Sequence, residues 1–273
     1  MPISVIKFGG EVLNQPETLA TICQDVATLH EKGHQLVIVH GGGAQVDELC
    51  RQLGITPKKI NGRRITDEAS LEAAKMILAG TNNTNLLAAL RKVNVPAVGV
   101  SGVDAELMTA HKRPPRTVTD LQTGETKLVD FGFVGDLVSV NPTLLRVLLA
   151  ARMVPVVSPL VADETGQVFN TNADTVATEL AIALRADQWI AATTVDGVLD
   201  ANQQVIPEIN PALFEQLAAA KVITGGMYPK LTNAFTALNG GVTSVHIVNG
   251  QRPGTLVDVV IGQPVGTRIQ VTQ

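Results

Sequence analysis

Two lysines stand close to pairs of glycines, and each could bind an anion. Lys7 lies in an otherwise apolar segment and is followed by Gly9 and Gly10, while Lys230 comes shortly after another glycine pair. Glycine lets another group approach the backbone closely, and open α/β sheets bind ligands at the carboxyl ends of their strands. A lysine can also extend past apolar neighbours into solvent, but this pattern favours an anion site at Lys7. Taken alone, Lys230 would be interpreted as a solvent-exposed helix lysine. Because it stands near a glycine pair, as Lys7 does, it becomes a second candidate for anion binding.

Three consecutive glycines, Gly41, Gly42 and Gly43, separate an apolar run from a segment of helical period. A tight turn could explain one of them. Free amide groups and the helix dipole both favour negative charge at such a position, so three together predict a phosphate or carboxylate site. The segment does not fit the P-loop pattern, and Val46 stands where a dinucleotide-binding fingerprint needs its third glycine. Both of those nucleotide-binding motifs are therefore disfavoured.

A carboxylate, Asp174, opens a further apolar helix whose natural N-cap is Asn172. Asp174 could complement the helix dipole or act in catalysis, and its spacing leaves both interpretations open. The histidines have no metal-ligand spacing, and no nucleophile elbow is present, so we predict neither a metal hydrolase nor a serine hydrolase and no protein-bound metal site. We expect His40, before the glycines, to be a structural hydrogen-bonding residue.

The elements that must position these residues alternate between short β-branched runs and segments of helical period. This alternation predicts an α/β fold with a mainly parallel central sheet. Asn61-Gly62 predicts a two-residue hairpin turn with positive φ at both positions, and Thr123-Gly124 predicts the turn of a second, inserted hairpin. Helices are predicted over 67–79 and 82–92, and the helix after Gly43 should turn Leu53 inward. We expect one continuous sheet serving two lobes, with a boundary near Ala177.

Composition limits the classes of partner. The chain has 273 residues, 45% hydrophobic and 17% charged, which is typical of a folded protein with a large core. Its 21 basic and 25 acidic residues are scattered, so neither nucleic acid nor an anionic membrane is an expected partner. Apolar runs are far shorter than the ~20 residues of a membrane span, and no signal peptide is recognisable, so a cytoplasmic location is expected. Cys23 and Cys50 are expected to be buried, reduced thiols.

Five motifs, in this order, resemble those of the acetylglutamate kinases of arginine biosynthesis, a branch of the amino acid kinase family. They are V-I-K-F-G-G from residue 5, V-H-G-G-G from 39, N-G-R-R-I-T from 61, F-N-T-N-A-D from 169 and G-G-M-Y-P-K from 225. The first motif is shared with aspartokinases and carbamate kinases, whereas the third and fourth narrow the resemblance to acetylglutamate kinases. It implies a three-layer α/β sandwich in two lobes: residues 1–176 for acyl amino acid binding and dimerisation, and residues 177–273 for ATP binding.

The implied reaction moves the γ-phosphate of MgATP onto the γ-carboxylate of N-acetyl-L-glutamate. By this resemblance the catalytic residues are Lys7, Lys230, Asp174 and Gly10, and the substrate-binding residues are Gly42, Gly43, Arg64 and Asn170. The implied ATP contacts are Thr194, Val195, Asp196, Gly197, Val198, Leu199, Val222, Ile223 and Thr224. Thr194 departs from the family pattern, in which aspartate is frequent at this point.

The chemistry agrees with these roles. A carboxylate acceptor, with a reference pKa of about 4.3, is ionised at neutral pH and needs no general base. The planar fork of Arg64 suits an α-carboxylate in a way that lysine cannot copy.

Two alternatives stay open: a kinase for a related acyl amino acid, such as acetylaminoadipate or succinylglutamate, and a non-catalytic amino-acid sensor of the same fold. Retention of both Lys7 and Lys230 disfavours the sensor. Arginine-inhibited relatives carry a helix ahead of the first strand, and here that strand is predicted to begin by Ile3. We therefore expect a homodimer that is insensitive to arginine and has no PII-type signalling partner.

Overall fold

An eight-stranded sheet forms the centre of the structure, a computed structural model that describes residues 2–120, 123–223 and 225–271. The strands are β1 (Ile3–Phe8), β2 (Gln35–His40), β3 (Lys58–Ile60), β4 (Arg63–Ile65), β5 (Ala97–Ser101), β6 (Met108–Lys112), β7 (Arg116–Thr119), β8 (Thr126–Val129), β9 (Gly135–Val140), β10 (Val154–Ser158), β11 (Leu160–Ala162), β12 (Val168–Asn170), β13 (Gln188–Thr193), β14 (Glu208–Ile209), β15 (Ser244–Asn249) and β16 (Thr267–Ile269). The helices are α1 (Gly10–Leu13), α2 (Pro16–Glu31), α3 (Gly43–Gln52), α4 (Glu68–Lys75), α5 (Asn83–Lys92), α6 (Thr143–Ala150), α7 (Ala173–Leu184), α8 (Pro211–Ala219), α9 (Met227–Asn239) and α10 (Thr255–Val260).

The strand order of the main sheet is β14-β16-β15-β13-β1-β2-β10-β5. Its pairs are parallel except for β15 with β16, which is antiparallel. The central strands are almost wholly buried and rich in β-branched residues, as expected for parallel strands covered on both faces. The predicted mainly parallel α/β sheet is confirmed.

Helices cover both faces of this sheet and complete a three-layer sandwich. Ile6 and Ile38 pack with α2, α5 and α10 on one face, whereas Val5 and Trp189 pack with α7 and α9 on the other. Successive residues of a strand point to opposite faces, so Lys7 shares the face of Val5. This alternation directs Lys7 toward α7, the helix that carries Asp174.

Smaller sheets accompany the main one. A four-stranded sheet has the order β12-β11-β6-β9, and two hairpins pair β3 with β4 and β7 with β8. Both predicted hairpins are confirmed. Asn61 and Gly62 have φ values of 48° and 76°, as a type I′ turn requires.

Several local expectations need correction or refinement. Leu53 is 55% exposed, because α3 ends at Gln52 and the chain turns before Leu53 can continue the buried face. The two helices predicted over 67–79 and 82–92 are joined by a π-helical segment, Met76–Asn82. Ala177 lies inside α7, which packs against both β1 and β13, so the division into two lobes stays a prediction.

The two cysteines, Cys23 and Cys50, are buried free thiols, as expected. Burial raises the pKa of the Cys23 thiol to about 12, so this group is protonated at neutral pH. Within the described ranges, no helix is long and apolar enough to cross a bilayer.

Candidate active site

Asp174 lies between the two lysines that the sequence singled out. Its Oδ1 is 2.9 Å from Nζ of Lys7 and 3.5 Å from Nζ of Lys230. Lys7 comes from the carboxyl end of β1, Asp174 from the first turn of α7, and Lys230 from the first turn of α9. Asn172 caps α7 by accepting a hydrogen bond from the Asp174 N–H at 2.7 Å, which fixes the start of the helix and the position of the carboxylate.

All three charged side chains are nearly buried, at 11%, 16% and 13% exposure for Lys7, Asp174 and Lys230. Burial alone would raise the pKa of Asp174, but the ammonium groups of Lys7 and Lys230 outweigh it and hold that pKa below its usual range. Burial and the neighbouring Lys7 charge lower the pKa of Lys230, against the opposing effect of Asp174. Two positive charges against one negative leave the cluster with a surplus positive charge, which favours an anionic ligand beside it.

The glycine segments meet next to these lysines. The Gly41 N–H donates to the Phe8 carbonyl at 3.0 Å, and a Cβ at Gly10 would lie only 2.9 Å from the Gly42 Cα. A Cβ at Gly42 would lie 2.5 Å from Nδ2 of Asn82. Glycine at positions 10 and 42 therefore permits backbone contact that no other residue could make without displacement.

An open cleft begins at this cluster and has an empty volume of about 970 Å³, part of it exposed to solvent. Lys7, Lys230, Gly10 and Gly43 are among the residues that line it. A cleft with two lysines and two glycine segments at its base has the charge and backbone access needed to hold a phosphate chain.

The acceptor-binding candidate Arg64 is held at the edge of the cleft by two contacts. Its Nη2 donates to the Gly43 carbonyl at 2.8 Å, and its Nη1 forms an ion pair with Asp47. The Asn170 side chain, at the end of β12, donates from Nδ2 to Oγ1 of Thr66 at 3.4 Å. Because Thr66 follows Arg64 by two residues, the two substrate-binding candidates are linked through one short segment.

Residues 2–249 match the sequence profile of the amino acid kinase family. The chain belongs to this family. The acetylglutamate kinase of Myxococcus xanthus is 43% identical over 94% of this chain and 84% of its own length. Among solved structures, a protein of Streptococcus mutans UA159 is 29% identical, with a TM-score of 0.79 and coverage of 99% of both chains.

A second structural relative is longer than this chain. The N-acetylglutamate synthase of Neisseria gonorrhoeae, in complex with coenzyme A and N-acetyl-glutamate, is 26% identical with a TM-score of 0.82. The comparison covers 100% of this chain but 60% of the synthase, so the kinase-family chain corresponds to only part of that protein.

The predicted ATP contacts do not all face the cleft with their side chains. Thr194 and Val195 line it, directly after β13. The side chains of Val198 and Ile223 are buried in the hydrophobic core, so only their backbone atoms could reach a nucleotide.

The remaining predicted ATP contacts lie on either side of these. Asp196 accepts from Nδ2 of Asn249 at 2.7 Å and pairs with Arg252 at 2.6 Å. Gly197 lies close to Thr267, whereas Leu199 forms an isolated bridge with Val205. Val222 follows α8, where its N–H donates to the Leu217 carbonyl, and Thr224 lies outside the described residues.

Three polar residues at the site were missed from the sequence. Glu11 lines the cleft next to Gly10, and its position directly after the glycine pair could have indicated it. Gln45 donates to the Gly10 carbonyl at 2.8 Å, and Asn82 donates to the Gly41 carbonyl at 3.3 Å. Asn82 belongs to the π-helical segment, whose irregular period gave no signal in the sequence.

His40 has the structural environment expected of it. It is fully buried, with Nδ1 3.0 Å from the Gly41 carbonyl oxygen and Nε2 3.3 Å from Nδ2 of Asn83. Burial lowers the pKa of this imidazole, which favours the neutral ring at neutral pH.

Proposed function

We propose that the chain transfers the γ-phosphoryl group of ATP to the γ-carboxylate of N-acetyl-L-glutamate, giving N-acetyl-L-glutamyl 5-phosphate and ADP for arginine biosynthesis. The observation that carries this proposal is the buried Lys7–Asp174–Lys230 cluster at the base of a glycine-lined cleft. The name and close similarity of the Myxococcus xanthus acetylglutamate kinase support N-acetyl-L-glutamate as the acceptor.

The reaction needs charge compensation rather than a base. A carboxylate oxygen of the acceptor attacks the γ-phosphorus, a new P–O bond forms, and the bond from the γ-phosphorus to the β,γ-bridging oxygen breaks to release ADP. Negative charge is shared by three phosphoryl oxygens during this transfer. Lys7 and Lys230 supply positive charge, while Asp174 holds both ammonium groups in place, so they need little reorganisation when the charge develops. Gly10 and Gly42 allow backbone donors to approach the same group.

Mg²⁺ is proposed to arrive with the nucleotide. Magnesium in kinase sites is held largely by phosphate oxygens and water, with one or two carboxylates from the protein. No group of three or more histidine, cysteine or acidic side chains suited to a metal occurs among the described residues. Glu11 lines the cleft and would supply a carboxylate to a metal carried by ATP.

Acceptor recognition is proposed to divide between Arg64 and Asn170. The guanidinium of Arg64 would bind the α-carboxylate, and Gly43, whose carbonyl anchors Arg64, would contact the same substrate. Asn170 would hydrogen-bond the acyl amide, so free glutamate should be a poor acceptor. Thr194, Val195 and the segment up to Leu199, with Val222 to Thr224, would contact ATP from the other side of the cleft.

A coupled assay of ADP release tests this function directly. The wild-type protein with MgATP should turn over N-acetyl-L-glutamate far faster than acetylaminoadipate, succinylglutamate or free glutamate. Preference for a longer acyl amino acid would move the chain to the related kinase activity. Binding of the acceptor without any ADP release would instead identify a sensor.

Assembly and location belong to the same proposal. We propose a homodimer that acts in the cytoplasm without a PII-type partner, with the acyl amino acid in residues 1–176 and ATP in residues 177–273. Light scattering of the purified protein should give twice the mass of 28.8 kDa. A hexamer, or inhibition by millimolar arginine, would contradict the proposed assembly and regulation without affecting the proposed reaction.

A further inference from the structure

Thr66 occupies the joint between the two parts of the proposed acceptor site. Its side chain is fully buried, and its hydroxyl oxygen accepts the hydrogen bond from Nδ2 of Asn170. It also lies directly after β4, the strand that carries Arg64. Thr66 therefore contacts Asn170, one of the two side chains proposed to bind the acceptor. It also fixes the end of the hairpin that carries Arg64, the second of them.

The backbone around Thr66 strengthens this joint. Its N–H donates to the Phe131 carbonyl at 2.9 Å, and its carbonyl accepts from the Phe133 N–H at 2.7 Å. The Phe133 carbonyl in turn accepts from the Asn170 N–H at 3.0 Å. The chain segment at Phe133 is thus bonded on one side to Thr66 and on the other to Asn170.

Gly132 makes this arrangement sterically possible. Its φ is +72°, and a Cβ at this position would lie 2.2 Å from the Thr66 carbonyl oxygen. The Asp130 carboxylate accepts from the Gly132 N–H at 2.8 Å and stabilises the turn. Close approach of the two backbones at this point depends on glycine.

We propose that Thr66 is a positioning residue for the acceptor, acting through the Asn170 amide and the Arg64 hairpin. An asparagine amide has two donor hydrogens on nitrogen and one acceptor oxygen. The bond to Thr66 uses one of the two N–H donors and fixes the plane of the Asn170 amide, which leaves its carbonyl oxygen available to accept the N–H of an acyl amide. Thr66 thereby orients the Asn170 oxygen toward the acceptor. This inference rests on the proposed function, since it concerns the acceptor of that reaction.

The test compares Thr66→Val with the wild-type protein in the ADP-release assay and by calorimetry with N-acetyl-L-glutamate. Valine keeps the shape of threonine but removes the hydroxyl, leaving the Asn170 nitrogen without this acceptor. We expect KM and Kd for N-acetyl-L-glutamate to rise by about tenfold, which corresponds to about 1.4 kcal/mol. The KM for ATP should not change.

Three further variants separate positioning from a general loss of structure. Thr66→Ser retains the hydroxyl and should restore most of the acceptor affinity. Thr178→Val is the matched control, because Thr178 is also buried but its hydroxyl has no hydrogen-bond partner in the described part of the chain; both KM values should stay unchanged. In an Asn170→Ala background, Thr66→Val should cause little further loss, since the amide that it orients is absent.

An unchanged acceptor KM in Thr66→Val would overturn the proposal, as would equal increases in both KM values or an undiminished effect in the Asn170→Ala background. Circular dichroism checks folding, and if Thr66→Val does not fold, Thr66→Ala against Thr66→Ser gives the same comparison. Failure of the proposed function has a different signature, because the wild-type protein itself would then release no ADP with N-acetyl-L-glutamate.

Discussion

Asp174 and Asp47 each pair with cations, but they hold them in different surroundings. Asp174 lies between Lys7 and Lys230, and both lysine side chains are nearly buried, at 11% and 13% exposure. Asp47 pairs with the buried Arg64 and with a lysine that is 40% exposed. Asp174 therefore holds two nearly buried ammonium groups. Asp47 holds the buried guanidinium of Arg64, and its second partner, Lys59, is partly exposed to solvent.

This difference indicates separate roles for the two clusters. Surplus positive charge beside Asp174 is poorly screened by water, so it can act strongly on a transferring phosphoryl group. The charge of Lys59 beside Asp47 is screened by solvent, and that cluster contributes chiefly the orientation of Arg64. Substitutions in the first cluster should change turnover, and substitutions in the second should change acceptor affinity.

The largest effect is expected from Lys7→Ala and Lys230→Ala. Each removes a charge that we propose acts on the transferring group, so kcat should fall by about 100-fold to 1,000-fold at saturating substrates. Circular dichroism should show an intact fold. Lys32→Ala, at an exposed lysine after α2, is the control and should leave kcat unchanged. Near-normal turnover in either active-site variant would remove that lysine from catalysis.

Asp174→Asn should affect both stability and pH dependence. Loss of the carboxylate leaves two buried ammonium groups without their counter-ion, which should cost about 3 kcal/mol of unfolding free energy in a urea titration. Asp174 favours the charged form of Lys230, so its removal should lower the Lys230 pKa further.

The ammonium form of Lys230 would then be lost at a lower pH, and the alkaline limb of the pH–kcat profile should move to lower pH. Asp47→Asn is the matched comparison. It should raise the acceptor KM and leave the alkaline limb in place. If both variants move that limb equally, the proposed division between the two clusters is wrong.

Arg64→Lys should mainly weaken acceptor binding. Lysine keeps the charge but cannot offer two parallel N–H donors to a carboxylate while also bonding Asp47 and the Gly43 carbonyl. We expect the KM for N-acetyl-L-glutamate to rise by about tenfold, or about 1.4 kcal/mol, with a smaller change in kcat. Arg63→Lys, at the exposed neighbour in the same hairpin, should leave KM unchanged. A kcat loss equal to that of Lys7→Ala would instead place Arg64 at the transferring group.

Local sequence signals predicted much of this architecture. The Asn61-Gly62 turn follows from backbone sterics that two residues determine, and the glycine pair after Lys7 indicated the carboxyl end of β1. The end of α3 was less predictable, because apolar spacing identifies a helix face but not where the helix stops. Leu53 was therefore predicted to face the core, but it lies beyond the end of α3 and is exposed.

The candidate site was predicted in part, and the motifs of the family resemblance were needed for it. Spacing alone could not bring Asp174 next to Lys7, because their approach depends on how α7 packs on β1. Thr66 and Asn170 each belong to a quoted motif, but their meeting at Gly132 could not be predicted, since it joins three segments far apart in the chain. Likewise, the resemblance implied an ATP contact at Val198, but only tertiary packing shows that this side chain points into the core.

The smallest effect is expected at the turns of the two hairpins. Gly62 and Gly124 have nearly equal φ values of 76° and 73°, and a Cβ at either would meet no atom within 4 Å. Alanine at either position should therefore cost about 1 kcal/mol through backbone strain alone. For a chain of this size that cost corresponds to a fall in Tm of about 3 °C in a thermal melt.

Only the first hairpin carries Arg64, so the two variants should differ in acceptor binding. Strain in Gly62→Ala should displace the Arg64 guanidinium slightly. A loss of about 0.5 kcal/mol of acceptor binding free energy would raise the acceptor KM roughly twofold, whereas Gly124→Ala should leave this KM unchanged. Asn61 also donates from Nδ2 to the Thr119 carbonyl at 2.8 Å, which connects the hairpins. Equal KM increases in both variants would show that this contact couples them and that the inserted hairpin also helps to position Arg64.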